Sequence, residues 1–165
     1  MEMFARRFSS YGDFRLTLEL FAGCWLLGAW KKRRDWQRLG LAILLAASLA
    51  GATATTFRVL TGRPRPIANL PDKFGGPVFL DHRRQSFPSA HSATSMATAA
   101  VVAIAMPEVG VPFFIFSLGV PWARVYMREH YASDAVVGGL LGLGVGAAFG
   151  LAFRKIHPQF QALEK

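Results

Sequence analysis

The amino-acid sequence is that of an all-α, polytopic membrane helix bundle: about five transmembrane helices preceded by an N-terminal interfacial segment. The first sign is the apolar content. It makes up 52% of the 165 residues, gives a mean hydropathy of +0.29, and comes in long runs rather than short alternations. The second is that charges gather between those runs, as in Lys31-Lys32-Arg33-Arg34, where basic, Trp-flanked segments mark membrane boundaries. The third is the recurrence of small residues at every fourth position inside two runs. Ala46, Ala50 and Ala54 form one such stripe, and Gly138, Gly142, Gly146 and Gly150 the other. This spacing lets helix backbones approach closely.

Length supports a single membrane-embedded domain, 1–165. The formal charge of +9 sits at span ends and forms no groove-reading motif, so it points to anionic lipid and away from nucleic acid. Cys24 is the one cysteine, which excludes an internal disulfide.

In chain order, residues 1–15 mix Phe4, Phe8, Tyr11 and Phe14 with Arg6, Arg7 and Arg15, a pattern suited to lying among headgroups. The first span is expected over 16–30. No small-residue cleavage site follows it, so it reads as a retained span rather than a signal peptide. Glu19 lies one turn inside; it either reaches the interface or pairs within the bundle. Residues 31–38 form a basic loop expected in the cytoplasm. The second span covers 39–57. Residues 58–88 are polar and carry Pro64, Pro66, Pro71, Pro77 and Pro88, so a stiff loop is expected. The third span covers 89–106 and the fourth 111–126, where Pro121 should kink the helix. The fifth covers 134–153 and ends at Arg154 and Lys155.

Five spans alternating across a bilayer put Arg58, Ser89, His91, Arg124, His130 and Asp134 at one membrane surface, although they are far apart in sequence. Their chemistry is complementary. Guanidinium forks match phosphate oxygens. Ser89 can cap the third helix, whose first N–H groups then favour an anion. A carboxylate four residues after His130 can take the proton on one ring nitrogen and leave the other free to attack. Arg63 suits either a phosphate or a lipid headgroup, and Lys73, Arg83 and Arg84 suit either a second phosphate or a solvated loop. His82 and His157 have no such context.

Three spaced motifs carry a resemblance to the type-2 phosphatidic acid phosphatase superfamily. Arg58-x6-Arg65-Pro66 is similar to its K-x6-R-P, with Arg for Lys. Pro88-Ser89-Ala90-His91 is similar to P-S-G-H, with Ala for Gly. Ala123-Arg124-x5-His130-x3-Asp134 is similar to S-R-x5-H-x3-D, with Ala for Ser. The resemblance covers 39–153 and makes 58–88 the active-site loop. It implies a lipid phosphatase in which His130 is the nucleophile, Asp134 orients its ring and His91 is the general acid. Arg58, Arg65, Ser89, Ala90 and Arg124 hold the phosphoryl group. No metal, no cofactor and no obligate protein partner are expected. The implied partners are the bilayer and a lipid phosphate: undecaprenyl diphosphate, phosphatidylglycerol phosphate, phosphatidic acid or lipid A 1-phosphate. A cytoplasmic 31–38 loop puts this surface on the periplasmic face of the inner membrane. Two alternatives are a lipid-to-lipid phosphotransferase of the same fold and a non-catalytic binder of anionic lipid.

Overall fold

The computed structural model describes residues 1–11 and 14–160; parts of the 1–15 segment and the last five residues lie outside that range. Among the described residues the chain is helical, with no strand. The helices are α1 (Glu2–Tyr11), α2 (Phe14–Trp30), α3 (Arg34–Thr61), α4 (Ala90–Ala105), α5 (Pro107–Ser117), α6 (Gly119–Tyr126) and α7 (Ala132–Ile156). Short 3₁₀ turns at Pro66–Ala68 and His82–Arg84 punctuate the expected loop. The stretch containing α3, the α5–α6 pair and α7 are each long and apolar enough to cross a membrane. α4 is equally apolar but has 16 residues.

Helix α3 outruns the expected end of its span by one turn. Hydropathy falls at Arg58, but the backbone stops only at Gly62. That residue adopts the left-handed conformation (φ 58°) and returns its N–H to the Arg58 carbonyl at 3.1 Å. Glycine serves best there, and a Cβ would also collide with the Gly75–Gly76 backbone. Arg58 is therefore on a helix, and Arg63 and Arg65 come straight after its cap.

The fourth run is broken rather than gently kinked. α5 ends at Ser117 and α6 begins at Gly119. Pro121 has no N–H for the Ser117 carbonyl and its ring crowds that same group, so the break falls one turn ahead of the proline.

Helix α4 is the centre of the molecule. Ala93, Ala97, Val101 and Ala105 are buried between α3 and α7. The glycine stripe of α7 runs along it: a Cβ at Gly138, Gly142 or Gly146 would strike the carbonyl of Ser89, Ala93 or Ala97 respectively. The alanine stripe of α3, Ala46, Ala50 and Ala54, is fully buried on the opposite side. Leu41, Leu45, Leu49, Leu140 and Leu151 remain exposed, as residues facing lipid tails should. With acyl chains as apolar as leucine, dispersion between closely fitted backbones holds such helices together.

α1 does more than lie at an interface. It packs on α6, with Phe8 edge-on to Trp122 (ring centroids 6.5 Å apart), and also meets Phe116 at the end of α5 (4.9 Å). Glu19 pairs with Arg15 at 2.9 Å on an exposed face, which favours the surface reading of that carboxylate.

Candidate active site

The mouth of the bundle is assembled by backbone ties between segments remote in sequence. Ser89 N–H donates to the Asp134 carbonyl (2.9 Å), joining the starts of α4 and α7. Ser86 N–H donates to the Arg63 carbonyl (2.9 Å), and Ile67 N–H to the Arg128 carbonyl (2.9 Å). Ser89 also caps α4, its Oγ accepting from Ser92 N–H at 3.3 Å and from the Ser92 hydroxyl at 3.0 Å. Ala90 and His91 follow in the first turn.

His130 is buried at the centre of this frame. Its Nδ1 lies 2.8 Å from the Ser86 carbonyl. A carbonyl only accepts, so Nδ1 carries the proton and Nε2 presents a lone pair. Nε2 is buried and has no hydrogen-bond partner among the described residues. Burial holds the imidazole pKa below its usual value; the charges of Arg124 and Arg65 act in the same sense, and Asp134 opposes them. The ring is thus set as a neutral base.

Asp134 meets this ring differently from the expectation that it accepts the Nδ1 proton. Its Oδ2 is 3.7 Å from Nδ1, beyond hydrogen-bond range, because the Ser86 carbonyl takes the proton instead. Oδ2 accepts from the Ser86 hydroxyl (2.5 Å) and from Tyr131 N–H (2.9 Å). Oδ1 accepts from Arg63 Nη1 at 2.5 Å. The buried carboxylate is a fixed negative charge beside the ring.

Arg63 resolves its two sequence readings as neither phosphate ligand nor headgroup rim. Nε and Nη2 grip Asp72 as a fork at 2.7 Å each, while Nη1 serves Asp134 and the Ser133 hydroxyl (2.8 Å). The guanidinium stacks 4.0 Å from the Tyr131 ring centroid. Its hydrogen bonding is committed to bracing Asp134. The same fork holds the Asp72 carboxyl below the ordinary carboxylate range.

Arg58, Arg65 and Arg124 form the cationic wall. Arg58 lies within electrostatic range of the other two, and Arg124 and Arg65 both act on His130. The Nε atoms of Arg58 and Arg65 are buried without hydrogen-bond partners among the described residues. Arg65 Nη1 donates to Glu129 Oε2 at 2.7 Å, and Arg124 Nη2 donates to the same oxygen. Arg124 Nη1 is steadied by the Ser9 hydroxyl of α1 at 2.7 Å. His91 and Ala90 line a cleft of about 520 Å³ between α3 and α4, with Ala47, Gly51, Ala52 and Thr55; Thr55 Oγ1 in turn receives Arg58 Nη2 at 3.5 Å. Ala123 is fully buried.

Arg83 pairs with Asp81 on the surface at 3.2 Å and Lys73 is exposed, while Arg84 Nε is buried with no hydrogen-bond partner among the described residues. His82 contacts Gln85 (3.3 Å) and His157 contacts Arg38 (3.4 Å), both away from the site. Sequence reasoning missed Ser86, Asp72, Glu129 and Ser9. Ser86, Glu129 and Ser9 contribute through long-range contacts and Asp72 through an irregular loop that returns it to Arg63 nine positions away, and a single sequence carries no periodic or motif signal for either.

The model of the PAP2 superfamily matches residues 39–158. The chain belongs to the PAP2 superfamily. The matched segment runs from the α3 stripe through α7, so it contains every residue of the wall except the Ser9 support. Among PAP2-type relatives, the chain is 32% identical over 148 residues to the decaprenylphosphoryl-5-phosphoribose phosphatase of Mycobacterium tuberculosis. That alignment covers 87% of this chain and 75% of the relative. It is 31% identical over 116 residues to the lipid A 1-phosphatase of Rhizobium johnstonii, covering 68% of this chain and 46% of that one. Its fold is similar to the crystal structure of Aquifex aeolicus LpxE, with a TM-score of 0.64 at 23% identity, over 90% of this chain and 84% of that one.

Proposed function

We propose that this PAP2 chain is a multi-pass phosphatase of the inner membrane that hydrolyses a lipid phosphate through a phosphohistidine, without a metal ion. The observation that carries the reading is a set of buried polar atoms lacking partners among the described residues: Arg58 Nε, Arg65 Nε and the lone pair of His130 Nε2. Cationic donors and a base left unsatisfied in a buried site cost stability. An anion with an electrophilic centre, a phosphoryl group, satisfies all of them at once.

In the proposed reaction Arg58, Arg65 and Arg124 take the equatorial oxygens, helped by Ser89 and the first N–H groups of α4 at Ala90 and His91. His130 Nε2 attacks phosphorus as the bond to the lipid oxygen breaks, and His91 gives that oxygen its proton. Nδ1 keeps its proton on the Ser86 carbonyl. Asp134, braced by Arg63, stabilises the positive ring at 3.7 Å. Water, deprotonated by His91, then attacks the phosphohistidine; phosphate leaves and Nε2 regains its lone pair. The cleft beside His91 offers the departing lipid a place between α3 and α4.

We take the site to face the periplasm, with five spans forming one domain. The relatives add decaprenylphosphoryl-5-phosphoribose to the substrates to screen and put weight on lipid A 1-phosphate, beside phosphatidic acid, phosphatidylglycerol phosphate and undecaprenyl diphosphate. The test is phosphate release by detergent-purified protein in excess chelator. Sustained turnover, reduced about 10³-fold or more in His130→Ala and about 10²-fold or more in His91→Ala, is the expected result. A strict need for a divalent ion, or full activity of His130→Ala, would overturn the mechanism.

A further inference from the structure

Glu129 lies among the five unspecified positions between Arg124 and His130, so the motif gives it no role. Yet its Oε2 sits between two guanidinium groups of the cationic wall, bonded to Arg65 Nη1 at 2.7 Å and to Arg124 Nη2. The turn that carries it is tight: Glu129 N–H and His130 N–H both donate to the Arg124 carbonyl, at 3.1 and 3.2 Å. The carboxylate is therefore tethered to the nucleophile's own backbone. Its side chain is 25% exposed, against 19% for Arg65 and 7% for Arg124, so the pairs are poorly screened and charge-assisted.

Guanidinium forks recognise carboxylate and phosphate with the same geometry. A phosphoryl oxygen reaching Arg65 and Arg124 must compete for the N–H groups that Glu129 now holds. A dianion beside a retained carboxylate would also meet like-charge repulsion in a partly buried site. Without any internal anion, a wall of three arginines would bind inorganic phosphate, the product, as readily as it binds the substrate's phosphate.

We propose that Glu129 is the resident counter-anion of the phosphate pocket. It holds Arg65 and Arg124 in position while the site lacks phosphate, yields to the entering phosphoryl group, and returns to drive product phosphate out. This inference rests on the phosphatase reading above. Glu129 touches no reacting atom in that mechanism; it sets the anion affinity of the arginines.

The test is calorimetric titration of inorganic phosphate into the detergent-solubilised full chain, alongside kcat and KM. Glu129→Gln removes the charge and keeps the shape. It should bind phosphate about tenfold more tightly or better, with lower KM and with kcat limited by phosphate release. Glu129→Asp keeps the charge and should stay near the wild-type affinity. Glu129→Ala is measured beside them, and either neutral variant that keeps the wild-type melting temperature decides the matter. Unchanged or weaker phosphate binding in an active, folded neutral variant overturns the proposal while leaving the phosphatase reading intact. Unfolding of both neutral variants makes Glu129 a structural clamp and overturns it as well. A wild-type protein that neither binds phosphate nor releases it from lipid would sink the parent reading.

Discussion

His130 and the groups around it divide into those that do chemistry and those that hold another residue in place, and substitutions should separate them. In the proposed mechanism Arg65 holds phosphate, so Arg65→Gln should raise KM for a water-soluble phosphate ester about tenfold or more. Arg63→Gln acts through Asp134. It should leave KM nearly unchanged, lower kcat and lower the melting temperature, since breaking a buried ion pair costs about 3–5 kcal/mol. The ring of His130 titrates below the usual imidazole value of about 6.5, chiefly because it is buried and then because Arg124 and Arg65 face it. Protonation removes the lone pair, so activity should persist as pH falls through 6.5 and fail only at lower pH. An NMR titration of the ring checks this directly, and Arg65→Gln should move the value upward by removing a cation. Motif spacing was enough to single out His91, His130 and Asp134 as the proposed catalytic groups. The partner of Nδ1 was not, because Ser86 lies 44 positions before His130. Arg63 shows the same limit: its type suited phosphate, and only the contacts with Asp72 and Asp134 assign it to bracing.

Helix identity was readable from hydropathy, while helix ends depended on single residues. Gly62 lets α3 run beyond its apolar run, and Pro121 divides the fourth run at Leu118. The every-fourth glycines of α7 were legible as a packing seam, because their period matches a helix face. Which helix they meet became visible only in the fold, where Gly142 closes on the Ala93 carbonyl. That contact makes a paired prediction. Gly142→Leu must push α7 off α4 and should destabilise by about 1–3 kcal/mol or more. Gly144→Leu, with nothing within 4 Å of its Cβ position, should change stability by no more than about 0.5 kcal/mol. Thermal melting in detergent distinguishes the two. Gly138 packs against Ser89 itself, so damage to this seam should reach the site before it unfolds the bundle.

Helix α3 begins at Arg34 and ends at Thr61, so the expected 31–38 loop shrinks to residues 31–33 and the 58–88 loop begins at Gly62. Across the whole molecule, the arrangement predicts that these two connections lie on opposite sides of the membrane. In a Cys24→Ser background, Lys73→Cys should react with an impermeant maleimide applied from outside, and Lys32→Cys should react only after the membrane is opened. The reverse pattern would turn the site toward the cytoplasm. The N-terminal segment enters at this scale too: α1 carries Ser9 to Arg124 across 115 positions, coupling a surface helix to the cationic wall. Hydropathy, charge placement and three spaced motifs were enough to establish a helical membrane protein of a phosphatase family, because each is local or periodic and a chain displays such features directly. Tertiary structure alone decided that Ser86 holds the His130 proton, that Arg63 serves Asp134, and that Glu129 sits between Arg65 and Arg124. Those are choices among partners of equal chemical fitness, and only the packing of α3, α4 and α7 brings one of them within reach.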